Sequence, residues 1–185
     1  MPRRTMCTVT LATALLASLA GAAVSGAAEP ASFPSTTIDL GTVVSDLGAS
    51  VRFYTEGIGF RELSGFDVPA EVATDAGLTD GKPLSIKVLA LGEGERATKL
   101  KLMQVAGTAP RRGDVEFIHS HTGFRYMTIL VADTGAALLR LEKLGVKPIA
   151  KSPVRLPESL VPGGMHLTVV RDPDGNFVEL IGPKH

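Results

Sequence analysis

The sequence predicts an α+β domain built from two duplicated βαβββ modules. The first observation is an internal repeat, in which residues 43–54 align with residues 130–141. In both copies a β-rich run ends at an aspartate, Asp46 or Asp133, whose carboxylate is suited to capping a helix N-terminus. The second observation is that short strand-like segments follow each predicted helix.

Residues 1–28 have the composition of a secretory signal peptide. They contain no acidic residue, begin with a basic pair and continue into an Ala- and Leu-rich run over residues 11–20. Small residues then satisfy a small-x-small cleavage rule, so the mature chain is expected to begin at Ala28 or Glu29. We therefore expect export to a periplasmic or extracellular location, with no membrane span after cleavage. An uncleaved anchor is the alternative.

Removal of this leader changes the charge balance. The chain has 19 Lys+Arg and 19 Asp+Glu, and two of the basic residues lie in the leader, which leaves a mature net charge of −2. No Lys/Arg cluster suited to neutralising phosphates is present, so we expect no nucleic-acid partner. The one cysteine, Cys7, also lies in the leader, which excludes thiol catalysis and Cys-ligated zinc from the mature domain.

The first module follows an extended lead-in over residues 29–37, which contains two prolines. A strand beginning at Ile38 leads into a helix whose apolar side chains recur at helical spacing and which ends at Gly57 or Gly59. Three more strands are predicted, over residues 60–64, 84–91 and 99–105. An insert at 67–82 separates the first of these strands from the second.

The second module repeats this order. Its helix presents Leu138 and Leu141 toward a sheet and ends at Gly145. Strands are predicted over residues 146–150, 166–171 and 177–181. A Pro-rich insert occupies 152–164, and the Asp-Pro-Asp-Gly segment at residues 172–175 is typical of a type I turn between the last two strands.

Two phrases of the sequence resemble a known family. FYTEGIGF at residues 53–60 and DPDGNFVEL at residues 172–180 are similar to segments of the vicinal-oxygen-chelate superfamily, which includes glyoxalase I, bleomycin-resistance proteins and extradiol dioxygenases. The resemblance implies a single domain over residues 38–183, with modules at 38–106 and 122–183. It also implies that the modules form a cupped mixed sheet whose concave face holds a ligand, often over a divalent metal.

The resemblance assigns four metal-ligand positions, and this sequence departs from the usual pattern there. The four positions hold Asp39, Lys101, Tyr126 and Glu179. Only Glu179 is a common ligand type, and the ammonium of Lys101 has no lone pair to offer a cation. We therefore expect the usual metal site to be lost and no cofactor to be bound, with a divalent metal in an altered site as the alternative.

Strand parity within the implied fold predicts which side chains face the ligand. Side chains two residues apart share a face, and the hairpin at residues 172–175 predicts Thr168 opposite Glu179, with His166 on the same face. We expect Lys101 to take the electrostatic place of the metal by pairing with Asp39 and Glu179. The predicted ligand-binding residues are Asp39, Lys101, Tyr126, Thr128, His166, Thr168 and Glu179.

Three functions remain open from the sequence. The first is an exported domain that binds a small organic molecule in its cup without catalysis, as bleomycin-resistance members do. The second is an enzyme of the lyase or isomerase type, either metal-dependent or an acid/base catalyst. Its candidate catalytic residues are Lys101, Tyr126, His166 and Glu179. The third is an interaction module that pairs with a second copy, and the resemblance itself is consistent with a homodimer.

A structural reading of the charged residues also stays open. Lys101 and Asp39 can form a salt bridge that serves only stability, because perturbed ion pairs also occur outside active sites. Glu179 can likewise be a structural carboxylate.

Overall fold

The computed structural model describes residues 33–185. The predicted signal peptide at 1–28 and the first part of the lead-in lie outside these residues. Within the described range the chain forms two separate four-stranded sheets, one from each predicted module. None of the helices in this part of the chain is long and apolar enough to cross a bilayer.

The first module forms a sheet with the strand order β1-β4-β3-β2. Its strands are β1 (Leu40–Val43), β2 (Arg61–Val68), β3 (Leu84–Leu91) and β4 (Thr98–Met103). β1 is parallel to β4, and the other neighbours are antiparallel. This is the sheet of a βαβββ unit, because a helix follows β1 and the next three strands then run antiparallel to one another, so that the last of them lies parallel to β1.

That helix begins where the sequence predicts it. The Asp46 carboxylate accepts a hydrogen bond from the Ala49 N–H at 2.9 Å and so caps α1 (Leu47–Arg52). The chain then continues into a wider π-helical turn, Phe53–Ile58. This turn ends at Gly59, whose φ of 110° is a conformation that glycine adopts without strain.

The second module forms a sheet with the strand order β5-β8-β7-β6. Its strands are β5 (Tyr126–Leu130), β6 (Val154–Arg155), β7 (His166–Arg171) and β8 (Phe177–Gly182). Its helix, α3 (Thr134–Lys143), begins at Asp133, whose carboxylate accepts from the Gly135 N–H at 2.8 Å. The duplicated order of strands and helices is thus present in both halves.

The strand predicted over residues 146–150 is wrong. Pro148 lies in the middle of this segment and has no N–H to contribute to a strand ladder. The Ile149 N–H donates to the Val169 carbonyl at 3.0 Å, which ties the segment to β7 without making it a strand. The fourth strand of the sheet is instead β6, a two-residue strand inside the Pro-rich insert.

The insert of the first module also contains regular structure. β2 continues into it as far as Val68, past a bulge between Leu63 and Phe66. Gly65 lies at this bulge, where a Cβ atom would clash with the carbonyl oxygen of Ile86. A short helix, α2 (Ala70–Asp75), follows.

One hydrophobic core joins the two modules through their helices. Leu100 of β4 and Leu180 of β8 both belong to it and are each 1 % exposed. The π-helical turn packs against α3, and a Cβ atom at Gly57 would lie only 3.0 Å from the Leu141 side chain. No hydrogen-bonded strand pair joins the two sheets in residues 33–185. Below, the side of each sheet that is turned away from this core is called its open face.

Candidate functional site

The open face of the first sheet carries the two residues that the resemblance assigned to metal positions in this module. Gly41 of β1 is the register partner of Lys101 on β4, so Asp39, two residues earlier, is on the same side. The Lys101 Nζ lies 2.9 Å from the Asp39 Oδ2. Both side chains are about one-third exposed, at 31 % and 33 %, so the ion pair remains in contact with solvent.

This ion pair changes the titration of Asp39. The hydrogen bond from the Lys101 ammonium lowers the pKa of Asp39 below its ordinary value of 3.8. Burial opposes this shift in part, and the charges of Lys101 and Lys99 add to the lowering. Because the pKa is lower in the folded than in the unfolded chain, the pair stabilises the fold above pH 3.8. This stabilisation is lost as the pH falls through the lowered pKa.

We predict that an NMR titration of the Asp39 carboxyl carbon has a midpoint below pH 3.8. Lys101→Gln removes the hydrogen bond and the nearest charge, and is expected to move the midpoint back toward 3.8. Lys87→Gln is the matched control, because Lys87 lies on the opposite side of the same sheet and pairs with Glu62. A wild-type midpoint at or above 3.8 would contradict the ion pair.

The open face of the second sheet carries the other two assigned positions. Thr128 of β5 is the register partner of Glu179 on β8. The Thr128 hydroxyl donates to the Glu179 Oε2 at 2.8 Å. Tyr126 precedes Thr128 by two residues on the same face, and its side chain is 52 % exposed. This face therefore offers a carboxylate, a hydroxyl and a phenol to an incoming molecule.

The predicted register of the β7–β8 hairpin is wrong by one residue. Val169, not Thr168, is opposite Glu179. The hairpin loop has three residues instead of two, because Gly175 adopts a φ of 87° and adds a left-handed position after the type I turn. A one-residue shift moves every side chain of a strand to the other face. Thr168 and His166 thus lie on the helix side of the sheet, away from Glu179.

Thr168 and His166 lie in surroundings that offer one polar side-chain atom of each residue no hydrogen-bond partner within residues 33–185. Thr168 is fully buried, and neither its hydroxyl nor the His166 Nδ1 has a hydrogen-bond partner in the described part of the chain. A buried hydroxyl without a partner costs stability. Thr168 and His166 therefore do not face a ligand on the open face, contrary to the prediction.

We predict that Thr168→Val, a nearly isosteric change, raises the free energy of unfolding by about 1 kcal/mol, because it removes an unpaired buried hydroxyl. Urea denaturation measures the difference. Thr128→Val is the matched comparison on the open face, where the hydroxyl is bonded to Glu179. A loss of stability in Thr168→Val would mean that this hydroxyl has a partner after all.

A single chain does not bring the two halves of the predicted site together. Lys101 is paired with Asp39, and no ion pair joins it to Glu179 within residues 33–185. The predicted pairing of Lys101 with both carboxylates is therefore wrong within one chain. The physical reason is the packing of the modules, which meet through their helices and leave the two open faces without contact to one another.

The donor chemistry of the four assigned positions does not fit a divalent metal. They provide two carboxylates, a phenol and an ammonium, and the ammonium already neutralises Asp39. Across residues 33–185 no three His, Cys, Asp or Glu side chains lie close enough together to hold a metal ion. We therefore derive no chemistry through a metal.

A buried contact that the sequence did not reveal joins the two modules. The Tyr54 hydroxyl donates to the Asp172 Oδ2 at 2.9 Å, and the two residues are 1 % and 4 % exposed. Burial raises the pKa of Tyr54 well above its usual range, and the charge of Asp172 raises it further. Tyr54 therefore stays protonated and remains a donor. Tyr54 and Asp172 each belong to one of the two sequence segments that resemble the family. That resemblance is the feature of the sequence that could have pointed to their contact.

Two arginines hold the segment between the modules beside the second open face. Arg171 donates to the carbonyls of Val115 and Glu116, and its guanidinium lies 4.4 Å from the centre of the Phe177 ring. Arg125 donates to the carbonyls of Asp114, Phe117 and Ile118. The segment between the modules is therefore fixed to the second sheet partly by these side chains.

A cavity of about 500 Å³ lies on the helix side of the molecule. Its lining includes Arg52, Phe53 and Lys147, but none of the predicted site residues. It is open to solvent, and Arg171 and Asp172 in its lining are already engaged by hydrogen bonds within the chain. The open faces, where the polar groups are arranged in register, are the better candidates for a site.

Comparisons with known proteins agree with this architecture. A glyoxalase family protein from Bacillus cereus superposes with a TM-score of 0.66 at 18 % identity, over 84 % of this chain and 99 % of that chain. Glyoxalase I from Leishmania major superposes with a TM-score of 0.57 at 24 % identity, over 80 % of this chain and 86 % of that chain. A glyoxalase I mutant from Zea mays superposes with a TM-score of 0.60 at 21 % identity, over 80 % of this chain and 46 % of that chain. At these identities the likeness shows the α+β fold alone.

The family assignment itself comes from the sequence. The family model described as Glyoxalase/Bleomycin resistance protein/Dioxygenase superfamily matches residues 38–180, which is most of the described chain. The chain belongs to the glyoxalase/bleomycin resistance protein/dioxygenase superfamily.

Proposed function

We propose that this protein is an exported domain that binds a small organic molecule on the open faces of its sheets, without the usual divalent metal. The observation that carries this proposal is the Lys101–Asp39 ion pair, 2.9 Å long, at two of the four metal-ligand positions. An ammonium at such a position supplies a fixed positive charge and hydrogen-bond donors, and it repels a second cation.

The binding cup is proposed to form between two copies of the chain. Lys101 and Glu179 lie on the open faces of different sheets, and each face carries only half of the predicted site. Within a single chain these two halves do not meet. If the faces of two copies meet, Lys101 and Asp39 of one copy would face Tyr126, Thr128 and Glu179 of the other. Such a cup would hold a cation, two carboxylates, a hydroxyl and a phenol around one ligand.

The edges of the sheets support association through β1 and β5. Exposed sheet edges invite pairing with another chain, and proteins usually protect them with charges, bulges or very short strands. β2 has charged residues and a bulge, and β6 has only two residues. β1 and β5 have no charged residue, although both are edge strands. The exposed apolar residues on or beside these two strands are Ile38, Leu40, Val43, Phe124, Tyr126 and Leu130.

The catalytic alternative is less well supported by this arrangement. His166, one of the candidate catalytic residues, lies on the helix side of its sheet and not on the open face. Lys101, Tyr126 and Glu179 remain, and each of them is accounted for as a binding group. We therefore propose binding as the main activity, with export directed by the leader at residues 1–28.

Native mass spectrometry of the purified protein tests the proposal. We expect a dimer that carries an organic molecule and no stoichiometric metal, and a lower occupancy of that molecule in Glu179→Ala. A stoichiometric divalent metal that is lost in Glu179→Ala would overturn the metal-free proposal and favour the lyase or isomerase alternative. Export is tested separately, by N-terminal sequencing of the protein recovered outside the cytoplasm, with Ala28 or Glu29 expected as the first residue.

A further inference from the structure

We infer that the ligand on the open face of the first sheet is an organic anion whose carboxylate or phosphate group is held by Arg61 and Lys99. This inference rests on the proposed function, since it concerns the same face, and it specifies the chemical class of the ligand. Neither residue lies at an assigned metal-ligand position.

The register of three strands places these two cations on either side of a small residue. Arg61 of β2 is directly opposite Ala90 of β3, and Ala90 is directly opposite Lys99 of β4. Residues that are directly opposite one another share a face of the sheet. Neighbouring strands are about 4.8 Å apart, so the backbones of Arg61 and Lys99 are separated by roughly 10 Å. Two long side chains at this separation can both reach one oxyanion above the alanine.

Within residues 33–185 these two cations form no direct ion pair, although the charge of Lys99 acts on Asp39. Lys101, the next residue on the same side of β4, is paired with Asp39. In residues 33–185, neither Arg61 nor Lys99 has a carboxylate within ion-pair distance, whereas Lys82, Lys87, Arg112 and Arg155 each have one. The face therefore presents three cations against one carboxylate. Because the mature chain is expected to be negative overall, this local excess of positive charge is a feature of the face and not of the composition.

The remainder of the face is apolar, which defines the other part of the ligand. Val88, on the same side of β3 as Ala90, is the register partner of Leu63 on β2 and of Lys101 on β4. Farther along the face, α2 covers the strands, and Ala73 packs there among buried residues of β3. Val88 and Ala90 are themselves buried, at 6 % and 2 %, whereas Val43 of β1 and Phe66 of β2 lie on the same side and are 46 % and 47 % exposed. An anion bound at Arg61 and Lys99 would thus have exposed apolar side chains farther along the same face. A small molecule with one anionic group and an apolar body fits both parts.

The two donors differ in a way that suits a shared oxyanion. The guanidinium of Arg61 can bind two oxygens at once through parallel N–H groups, whereas the ammonium of Lys99 acts as a compact point charge. Both a carboxylate and a phosphate monoester can accept hydrogen bonds from these two side chains. Two probes therefore separate the two anion types, and a neutral isostere tests the need for charge.

The test is an NMR titration of the ¹⁵N-labelled protein with benzoate, phenyl phosphate and benzamide. We expect benzoate or phenyl phosphate to shift the amide signals of Ala90 and Gly41, and benzamide to leave them unchanged. Arg61→Gln and Lys99→Gln are each expected to weaken anion binding about tenfold, which corresponds to about 1.4 kcal/mol. Lys87→Gln, on the opposite side of β3, is the matched control and is expected to leave the affinity unchanged.

The outcomes separate this inference from the proposed function. If benzamide binds to this face as well as benzoate does, the face binds small molecules but the anion assignment is wrong. If the anions shift only signals outside the face, or if Lys87→Gln weakens binding as much as Lys99→Gln, the inference is overturned. The mass-spectrometric test of the proposed function is independent of all these results.

Discussion

Asp172→Ala is expected to lower the free energy of unfolding by about 3 kcal/mol, because it leaves the buried Tyr54 hydroxyl and three partly buried donors of the turn without an acceptor. In the wild type the Asp172 carboxylate accepts from the Tyr54 hydroxyl at 2.9 Å and from the Asn176 side chain at 2.9 Å. It also accepts from the backbone N–H groups of Asp174 and Asn176, at 3.0 and 2.8 Å. Each buried polar group left unsatisfied costs about 1–3 kcal/mol.

Three further variants separate the contributions to this loss. Tyr54→Phe removes one donor and leaves Asp172 with three, so we expect a loss of about 1.5 kcal/mol. Asp172→Asn keeps the shape of the side chain and an acceptor for the turn, so its effect is expected to lie between the other two. The double variant Tyr54→Phe/Asp172→Ala is expected to lose less than the sum of the single losses, since the two residues contact one another.

Urea denaturation of the four variants measures these differences. Tyr54 belongs to the first module and Asp172 to the turn of the second, so these losses measure how strongly the contact holds the two modules together. A loss in Asp172→Ala of less than about 1 kcal/mol would mean that the turn relaxes to satisfy its own donors, and that the contact does not hold the modules together.

Local elements of the fold follow directly from the sequence. Asp46 and Asp133 cap their helices as predicted, because a cap depends on a side chain and on backbone groups only two or three residues away. The end of the first helix at Gly59 is equally local. These features need no information about the rest of the chain.

The register of the last hairpin could not be predicted in the same way. Asp-Pro-Asp-Gly is compatible with a two-residue or a three-residue loop, and the backbone of Gly175 decides between them. That difference of one residue exchanges Thr168 for Val169 on the open face. A prediction of site residues on β7 therefore depends on one φ angle that no periodicity reveals.

The separation of Lys101 from Glu179 is a consequence of tertiary packing. Strand parity places each residue on the correct face of its own sheet, since parity is a property of the single strand. Whether two sheets share a cup depends on contacts between the helices, such as the approach of Gly57 to Leu141. These contacts join residues that are distant in the sequence.

Leu130→Glu is expected to convert the dimer to a monomer while leaving the fold of each chain intact. Leu130 ends the unprotected edge strand β5, and its side chain is 80 % exposed in the single chain. A charge at a solvent-exposed position changes the stability of one chain by no more than about 0.5 kcal/mol. If a second copy covers this position, the same charge would have to be buried without a partner, which strongly opposes association.

Leu139→Glu is the matched control, because Leu139 is 62 % exposed and belongs to α3, which packs on the side of the sheet opposite to its open face. Light scattering after size-exclusion chromatography should give a dimer for the wild type and for Leu139→Glu, and a monomer for Leu130→Glu. The monomer should retain the far-ultraviolet circular dichroism of the wild type and lose its bound organic molecule, since each chain then holds only half of the cup. A monomer that still binds the molecule would place the site on one open face alone, and a dimer in Leu130→Glu would place the interface elsewhere.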